Sequence, residues 1–328
     1  MTTIHIIATG GTIAMAHDTD AGGAVISLSG SDFVQRMIGQ AGQAIPGVTH
    51  EEYGPLPSSH FTVEHLWGLR ERVSIAVSRH EVDGVVITHG TDSLEETAYL
   101  LDLTVPTDKP MCVTGAMRIA SQPGYEGIAN LVAAVRTASS PVARGLGALV
   151  VLNDEIHTAR HVTKMHTQSL DTFRSPAWGP IGRVEAEGVV FSRRVERDLI
   201  NCSGLEAGVY LFKLAVGMDA SLLKQAVSLG AKGTVIETFG GGRVPPWWLQ
   251  AMQEAIRAGV AVAVTTRCPS GRLYDPYRYE GAYRDLQDIG CLLAHELNGQ
   301  KARLRLMAAL SITQDLSQLA DVWYANTA

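Results

Sequence analysis

Short, mostly apolar runs set between longer amphipathic stretches constrain this chain more than any other feature. Ile4–Ala8, Gly84–Thr88, Met111–Thr114 and Ala148–Leu152 are each too short for a buried helix and read as buried strands. Strands covered on both faces lose the apolar–polar alternation of half-exposed ones, so these runs predict a parallel sheet with helices on both sides. Between the first two strands, Leu66, Leu69, Val73, Ala76 and Val77 fall on one helical stripe, with Thr62 placed to cap its start. After Thr88, Ser93 and Glu96 have the spacing of a capping box, and Leu94, Ala98 and Leu101 continue one stripe.

The rhythm breaks from Val184 to about Gly208, where charge gathers at Arg193, Arg194, Glu196, Arg197 and Asp198. A domain junction is expected there, dividing the chain into a larger N-terminal α/β domain over residues 1–190, a linker over 191–208 and a smaller C-terminal α/β domain over 209–328. In the last part the alternation resumes with a strand at Val209–Leu214, a helix at Asp219–Leu229 and a strand at Thr234–Glu237. A third helix opens at Pro245-Pro246 and closes at Gly259, and a strand follows at Val260–Thr265. With 328 residues, 46% of them apolar, both domains can bury a core.

A net charge of -6 provides no field to hold nucleic acid or an anionic membrane, so a small-molecule partner is expected. Cys112, Cys202, Cys268 and Cys291 lie far apart, without the paired spacing of a zinc site or a disulfide framework, and are expected to remain thiols. The start Met1-Thr2-Thr3-Ile4 has no basic, apolar and small-residue succession of the secretory kind, and no apolar run reaches bilayer length, so a cytoplasmic protein is expected.

Two segments carry candidate chemistry. Thr9-Gly10-Gly11-Thr12 leaves the first strand directly, at the carboxyl edge where open α/β sheets bind ligands, and its glycines allow close backbone approach. It lacks the G-x-G-x-x-G spacing of a dinucleotide site. Thr88-His89-Gly90-Thr91-Asp92-Ser93 leaves a second strand and enters a helix whose start offers N–H groups to an anion or a developing oxyanion. Two threonine-bearing loops thus converge on one edge.

T-G-G-T-I-A at 9–14 and H-G-T-D-S-L-E-E-T-A at 89–98 resemble the two signatures of the bacterial L-asparaginase family. Thr114–Arg118, Val150–Glu155, Val162–Lys164 and Asn298–Arg303 resemble further family segments in the same order, so the likeness spans nearly the whole chain. The resemblance implies that Thr12 is a nucleophile forming an acyl-enzyme, and that Thr91, Asp92 and Lys164 lie across the substrate. Lys164 would then take a proton through Thr91, its basicity reduced by partial burial among polar groups. It further implies a substrate-binding set of Gly11, Ser58, Ser59, Gly90, Thr91, Asp92 and Ala116, with Ser58 and Ser59 on the α-carboxylate, Asp92 on the α-ammonium, and Glu280 reaching the ammonium from a neighbouring subunit. Neither cofactor nor metal is implied. The implied assembly is a homodimer or homotetramer, with L-asparagine as substrate and glutamine slower.

The likeness to the cytoplasmic branch lies in Tyr277-Arg278-Tyr279-Glu280-Gly281, where Ala282 and Tyr283 replace glycines. Other departures are the absence of a lid tyrosine between Asp18 and Ser31, where Val25 stands, Arg243 in place of an asparagine after Phe239-Gly240-Gly241-Gly242, and Glu126 in place of an aspartate. Two further readings compete: an ammonia-delivering subunit of a tRNA-dependent amidotransferase, disfavoured by the lack of sequence before Ile4, and a catalytically idle amino-acid-binding homologue. His157, His161 and His166 lack the carboxylate or cysteine set that would complete a metal site. His60 and His89 read as hydrogen-bonding residues, and Trp247 and Trp248 as packing at a helix start.

Overall fold

A computed structural model describes residues 2–41 and 45–325. The chain divides into two compact units, Met1–Leu199 and Ile200–Ala328, the division falling inside the charged stretch after Val184. In the first unit the strands are β1 (Thr3–Ala8), β2 (Met15–Asp18), β3 (Gly23–Ile26), β4 (Gly47–Glu52), β5 (Gly84–Thr88), β6 (Met111–Thr114), β7 (Ala148–Leu152), β8 (Glu155–Thr158), β9 (Thr163–Lys164), β10 (Phe173–Arg174), β11 (Gly182–Glu185) and β12 (Gly188–Phe191). Its α-helices are α1 (Gly30–Ala41), α2 (Val63–Ser78), α3 (Leu94–Thr104) and α4 (Gly127–Ser139).

One eight-stranded sheet runs β12-β11-β8-β7-β6-β5-β1-β4. The five strands from β7 to β4 are parallel, and β8, β11 and β12 extend the sheet in antiparallel fashion. Period-two alternation sorts the core into two layers. Ile4, Ile6 and Ala8 pack with Phe33 and Met37 of α1 and Leu131 and Ala134 of α4, whereas Ile7 packs with Leu69 and Val73 of α2 and Leu94, Ala98 and Leu101 of α3. Helix α2 starts as the spacing demands: Thr62 Oγ1 accepts the N–H of His65, and His65 Nδ1 accepts the N–H of Thr62.

Two expectations need correction. Ser93 precedes α3 but makes no capping bond; its hydroxyl donates to the carbonyl of Ser58 at 2.8 Å instead. The charged stretch after Val184 also holds more structure than its missing period suggests. It begins with the β11–β12 hairpin, and its cations are bound to the first unit. Arg194 donates to the carbonyls of Val142 and Arg144. Arg197 reaches the C-terminal end of α3, pairing with Asp102 at 3.2 Å and donating to the carbonyls of Asp102, Val105 and Thr107. A guanidinium there meets the orphan carbonyls and the negative end of the helix dipole.

The second unit has a parallel sheet of β13 (Val209–Lys213), β14 (Gly233–Thr238), β15 (Ala261–Thr266) and β16 (Leu292–Leu293), in that order. Around it lie α5 (Ser221–Ser228), α6 (Pro246–Arg257), α7 (Tyr283–Asp288), α8 (Gly299–Leu310) and α9 (Leu316–Tyr324). Trp248 is buried in this core beside Leu223, Ile236, Met252 and Val264, while Trp247 is half exposed, and both indoles donate to the carbonyl of Met218. Gly259 ends α6 region with φ +84°, a conformation that glycine adopts without strain. Among the described residues, no helix is long and apolar enough to cross a membrane.

Candidate active site

Four adjacent strands, β4, β1, β5 and β6, point their carboxyl ends the same way, and the ladder runs past them. Tyr53 N–H donates to Ala8, Leu56 to Thr9, Thr9 to Thr88 and His89 to Thr114, each to the carbonyl. The chain crosses from one side of β1 to the other between β4 and β5, the strand-order reversal that opens a ligand crevice in α/β sheets. Loops 9–12, 53–60, 89–93 and 115–118 therefore leave from a single edge.

Glycine lets these loops nest. A Cβ added to Gly11 would lie 2.3 Å from Gly90 Cα, and one added to Gly90 would lie 2.6 Å from Ser58 Oγ. Gly11 also has φ +79°, so a side chain there would be strained even without the contact. Each abutting glycine is followed by one of the two threonines: Thr12, half-buried at the start of a short 3-10 turn, and Thr91, which is buried. Tyr125 donates to the carbonyl of Ile13 at 2.6 Å and so ties the turn carrying Thr12 to the start of α4.

Ser58 is buried, and its Oγ faces the N–H groups of Asp92 and Ser93 at 3.2 and 3.4 Å. These are the helix-start donors expected to be open to an anion, and the serine oxygen takes them instead. A hydroxyl that accepts twice still has one proton to donate, so Ser58 can offer O–H to a carboxylate. Ser59, the next residue, is exposed.

Lys164 lies on the two-residue strand β9 and directs its amine to the same loop. Its Nζ is 2.9 Å from Thr91 Oγ1 and 2.9 Å from Asp92 Oδ1. Side-chain exposure separates the two contacts: Asp92 is 67% exposed and Lys164 19%, so solvent weakens the ion pair, while the bond to Thr91 lies toward the interior. The backbone N–H of Lys164 donates to Glu95 Oε2 at 2.7 Å, a buried carboxylate in the first turn of α3 that sequence reasoning did not single out.

Behind this loop His89 is fully buried. Its Nδ1 is 2.8 Å from the carbonyl of Gly90 and its Nε2 is 3.0 Å from Thr97 Oγ1, with the Phe61 ring 4.8 Å away. A carbonyl only accepts, so Nδ1 carries the proton, and Thr97 donates to Nε2. Burial, opposed in part by the bond to Gly90, lowers its pKa to about 4. The imidazole thus stays neutral and fastens the peptide unit just before Thr91.

The remaining residues singled out by sequence are placed as follows. Ala116 is fully buried just beyond β6, and the Glu126 carboxylate accepts the N–H of the adjacent Met117. The stretch around Val25 forms the β2–β3 hairpin, tied to loop 119–122 by Ala120 N–H to Met15 O at 2.7 Å and His17 N–H to Ser121 Oγ at 3.0 Å. His157 faces Ser175 Oγ at 3.0 Å and Glu155 at 3.3 Å, and among the described residues no group of three or more His, Cys, Asp or Glu forms a metal-holding cluster. Glu280 belongs to the second unit and is exposed. There Arg243 pairs with the buried Asp275 at 2.8 Å and lies over the Tyr277 ring, which stacks on Tyr279.

Comparison with known proteins finds relatives that match both units. The family model described as asparaginase, N-terminal, matches residues 3–197, and that described as glutaminase/asparaginase C-terminal domain matches residues 208–322. The chain is 33% identical to an L-asparaginase of Bacillus licheniformis, over 94% of this chain and 95% of that protein. It is 36% identical to L-asparaginase 2 of Bacillus subtilis (95% and 83% covered) and 34% identical to a glutaminase-asparaginase of Pseudomonas fluorescens (97% and 89% covered). With both family models matched in order and the signature loops meeting at one sheet edge, the chain belongs to the bacterial L-asparaginase family.

Proposed function

We propose that this protein is an L-asparagine amidohydrolase that releases L-aspartate and ammonia, with weaker activity on glutamine. The observation that carries this reading is the contact of Lys164 Nζ with Thr91 Oγ1 beside the loop that bears Thr12. In the proposed sequence, Thr12 Oγ attacks the amide carbon, the C–N bond breaks and ammonia leaves with the transferred proton. Water then cleaves the ester. Thr91 and Lys164 form the proton path. Asp92, two-thirds exposed, accepts from the α-ammonium, and Ser58 and Ser59 hold the α-carboxylate. Gly11, Gly90 and Ala116 give the close walls of the site. Because these contacts are polar, analogues lacking either charged group should be rejected.

The same reading makes the protein a homodimer or homotetramer in which Glu280 completes a neighbour's site. Its support is family membership and the exposed Tyr274, Tyr277 and Tyr279 around Glu280. A cytoplasmic location fits four free cysteines, one of them exposed. Ammonia release from L-asparagine, measured beside Thr12→Ala, tests the activity. Release by the parent and none by the variant is expected, and no release by a folded parent overturns the reading. Light scattering on the purified protein tests the assembly, a monomer being the contrary result.

A further inference from the structure

We propose that Glu95 is a positioning residue that holds Lys164 against Thr91; this rests on the amidohydrolase reading and identifies what keeps its lysine in place. Lys164 sits on a strand of only two residues, paired antiparallel with Phe173–Arg174. The neighbouring N–H of Met165 donates to the carbonyl of Thr172 at 2.8 Å, within this ladder. Alternate N–H groups of a strand point to opposite edges, so the N–H of Lys164 points out of the ladder and needs a partner elsewhere. Glu95 Oε2 is that partner at 2.7 Å, a charge-assisted bond from a side chain only 4% exposed.

The segment 91–95 therefore grips Lys164 at both ends. Thr91 and Asp92 engage the amine, while Glu95, one turn further along the same stretch, engages the backbone. Because both anchors belong to one short stretch entering α3, the distance from Nζ to Thr91 Oγ1 is set locally. The long lysine stem alone would not fix it. In this role Glu95 acts through the backbone of Lys164, by fixing its placement.

Two variants separate reach from charge. Glu95→Gln keeps the side-chain length and an acceptor oxygen without the charge, and Glu95→Asp keeps the charge and shortens the reach by one methylene. A displacement of the order of 1 Å at a catalytic group costs roughly 100-fold, so E95D should lose about that factor in kcat for asparagine with KM little changed. E95Q should recover most of the turnover, and amide hydrogen exchange at Lys164 should speed up in E95D but not in E95Q. Parent-like turnover in E95D, equal losses in both variants, or unchanged exchange at Lys164 in E95D would overturn the proposal. A parent protein that releases no ammonia would instead overturn the amidohydrolase reading, and the exchange measurement would still decide whether Glu95 anchors Lys164.

Discussion

His89 offers a prediction whose size follows from the fold. Its imidazole is fully buried under Phe61, and burial lowers its pKa from 6.5 to about 4. In the unfolded chain the ring protonates near pH 6.5, so between these values the unfolded state binds a proton that the native state refuses. The resulting stability is fully present above about pH 6.5 and is lost as pH falls toward 4. A shift of this size corresponds to roughly 3 kcal/mol in all, and a drop from pH 8 to pH 5 should remove about 2 kcal/mol of it. His89→Gln can still donate to the Gly90 carbonyl but does not titrate. Urea unfolding followed by far-UV circular dichroism at pH 8 and pH 5, for both proteins, isolates this contribution because the other titrating groups cancel. The stability difference between parent and H89Q should shrink by about 2 kcal/mol on acidification. The same pH slope in both proteins, or a ring that titrates near 6.5 by NMR, would refute the reasoning.

Three other substitutions probe the frame of the site. Gly11→Ala places a Cβ 2.3 Å from Gly90 Cα at a φ of +79°, so the two loops must part; a separation of about 1 Å should lower kcat/KM by roughly 100-fold while far-UV circular dichroism stays unchanged. Ser58→Ala removes the hydroxyl proposed to donate to the substrate carboxylate, and a lost charge-assisted bond of about 1.5–3 kcal/mol should raise KM by roughly 10- to 100-fold, more than it lowers kcat, in initial-rate kinetics. Arg197→Ala leaves Asp102 buried without its guanidinium, and a loss of about 3 kcal/mol is expected in denaturant unfolding. Burial already pushes the Asp102 carboxyl upward against the opposing pull of Arg197, so acidification should narrow that loss.

Where neighbouring residues decide the structure, the sequence was a good guide. The parallel strands β1, β5, β6 and β7 are apolar because helices cover both their faces, and Thr62 caps α2 because its partner His65 is three residues away. The contact of Lys164 with Thr91 follows the family likeness; spacing alone showed only that two glycine-threonine loops leave one sheet edge. What escaped were features settled by partners distant in the chain. Ser93 satisfies every local rule for a cap, yet Ser58, 35 residues away, takes its hydroxyl. Glu95 looks like an ordinary acid in a first helical turn, and nothing in its surroundings announces a bond to residue 164. Strand β4 is an edge strand with no fully buried position, so it lacks the apolar run that marked its neighbours. The arginines between 193 and 197 read only as part of a charged linker, because sequence does not reveal that the C-terminal end of α3 awaits a guanidinium.

The central claim is that one ligand lies between Thr12 and the Thr91–Lys164 pair. A crystal structure of the protein with L-aspartate bound tests it most directly. Thr12 Oγ should lie within about 3 Å of the side-chain carboxyl carbon, the near-attack distance, with Thr91 Oγ1 on the other side and the α-carboxylate on Ser58. Aspartate bound away from Thr12, or a carboxyl carbon approached by Thr91 alone, would contradict it.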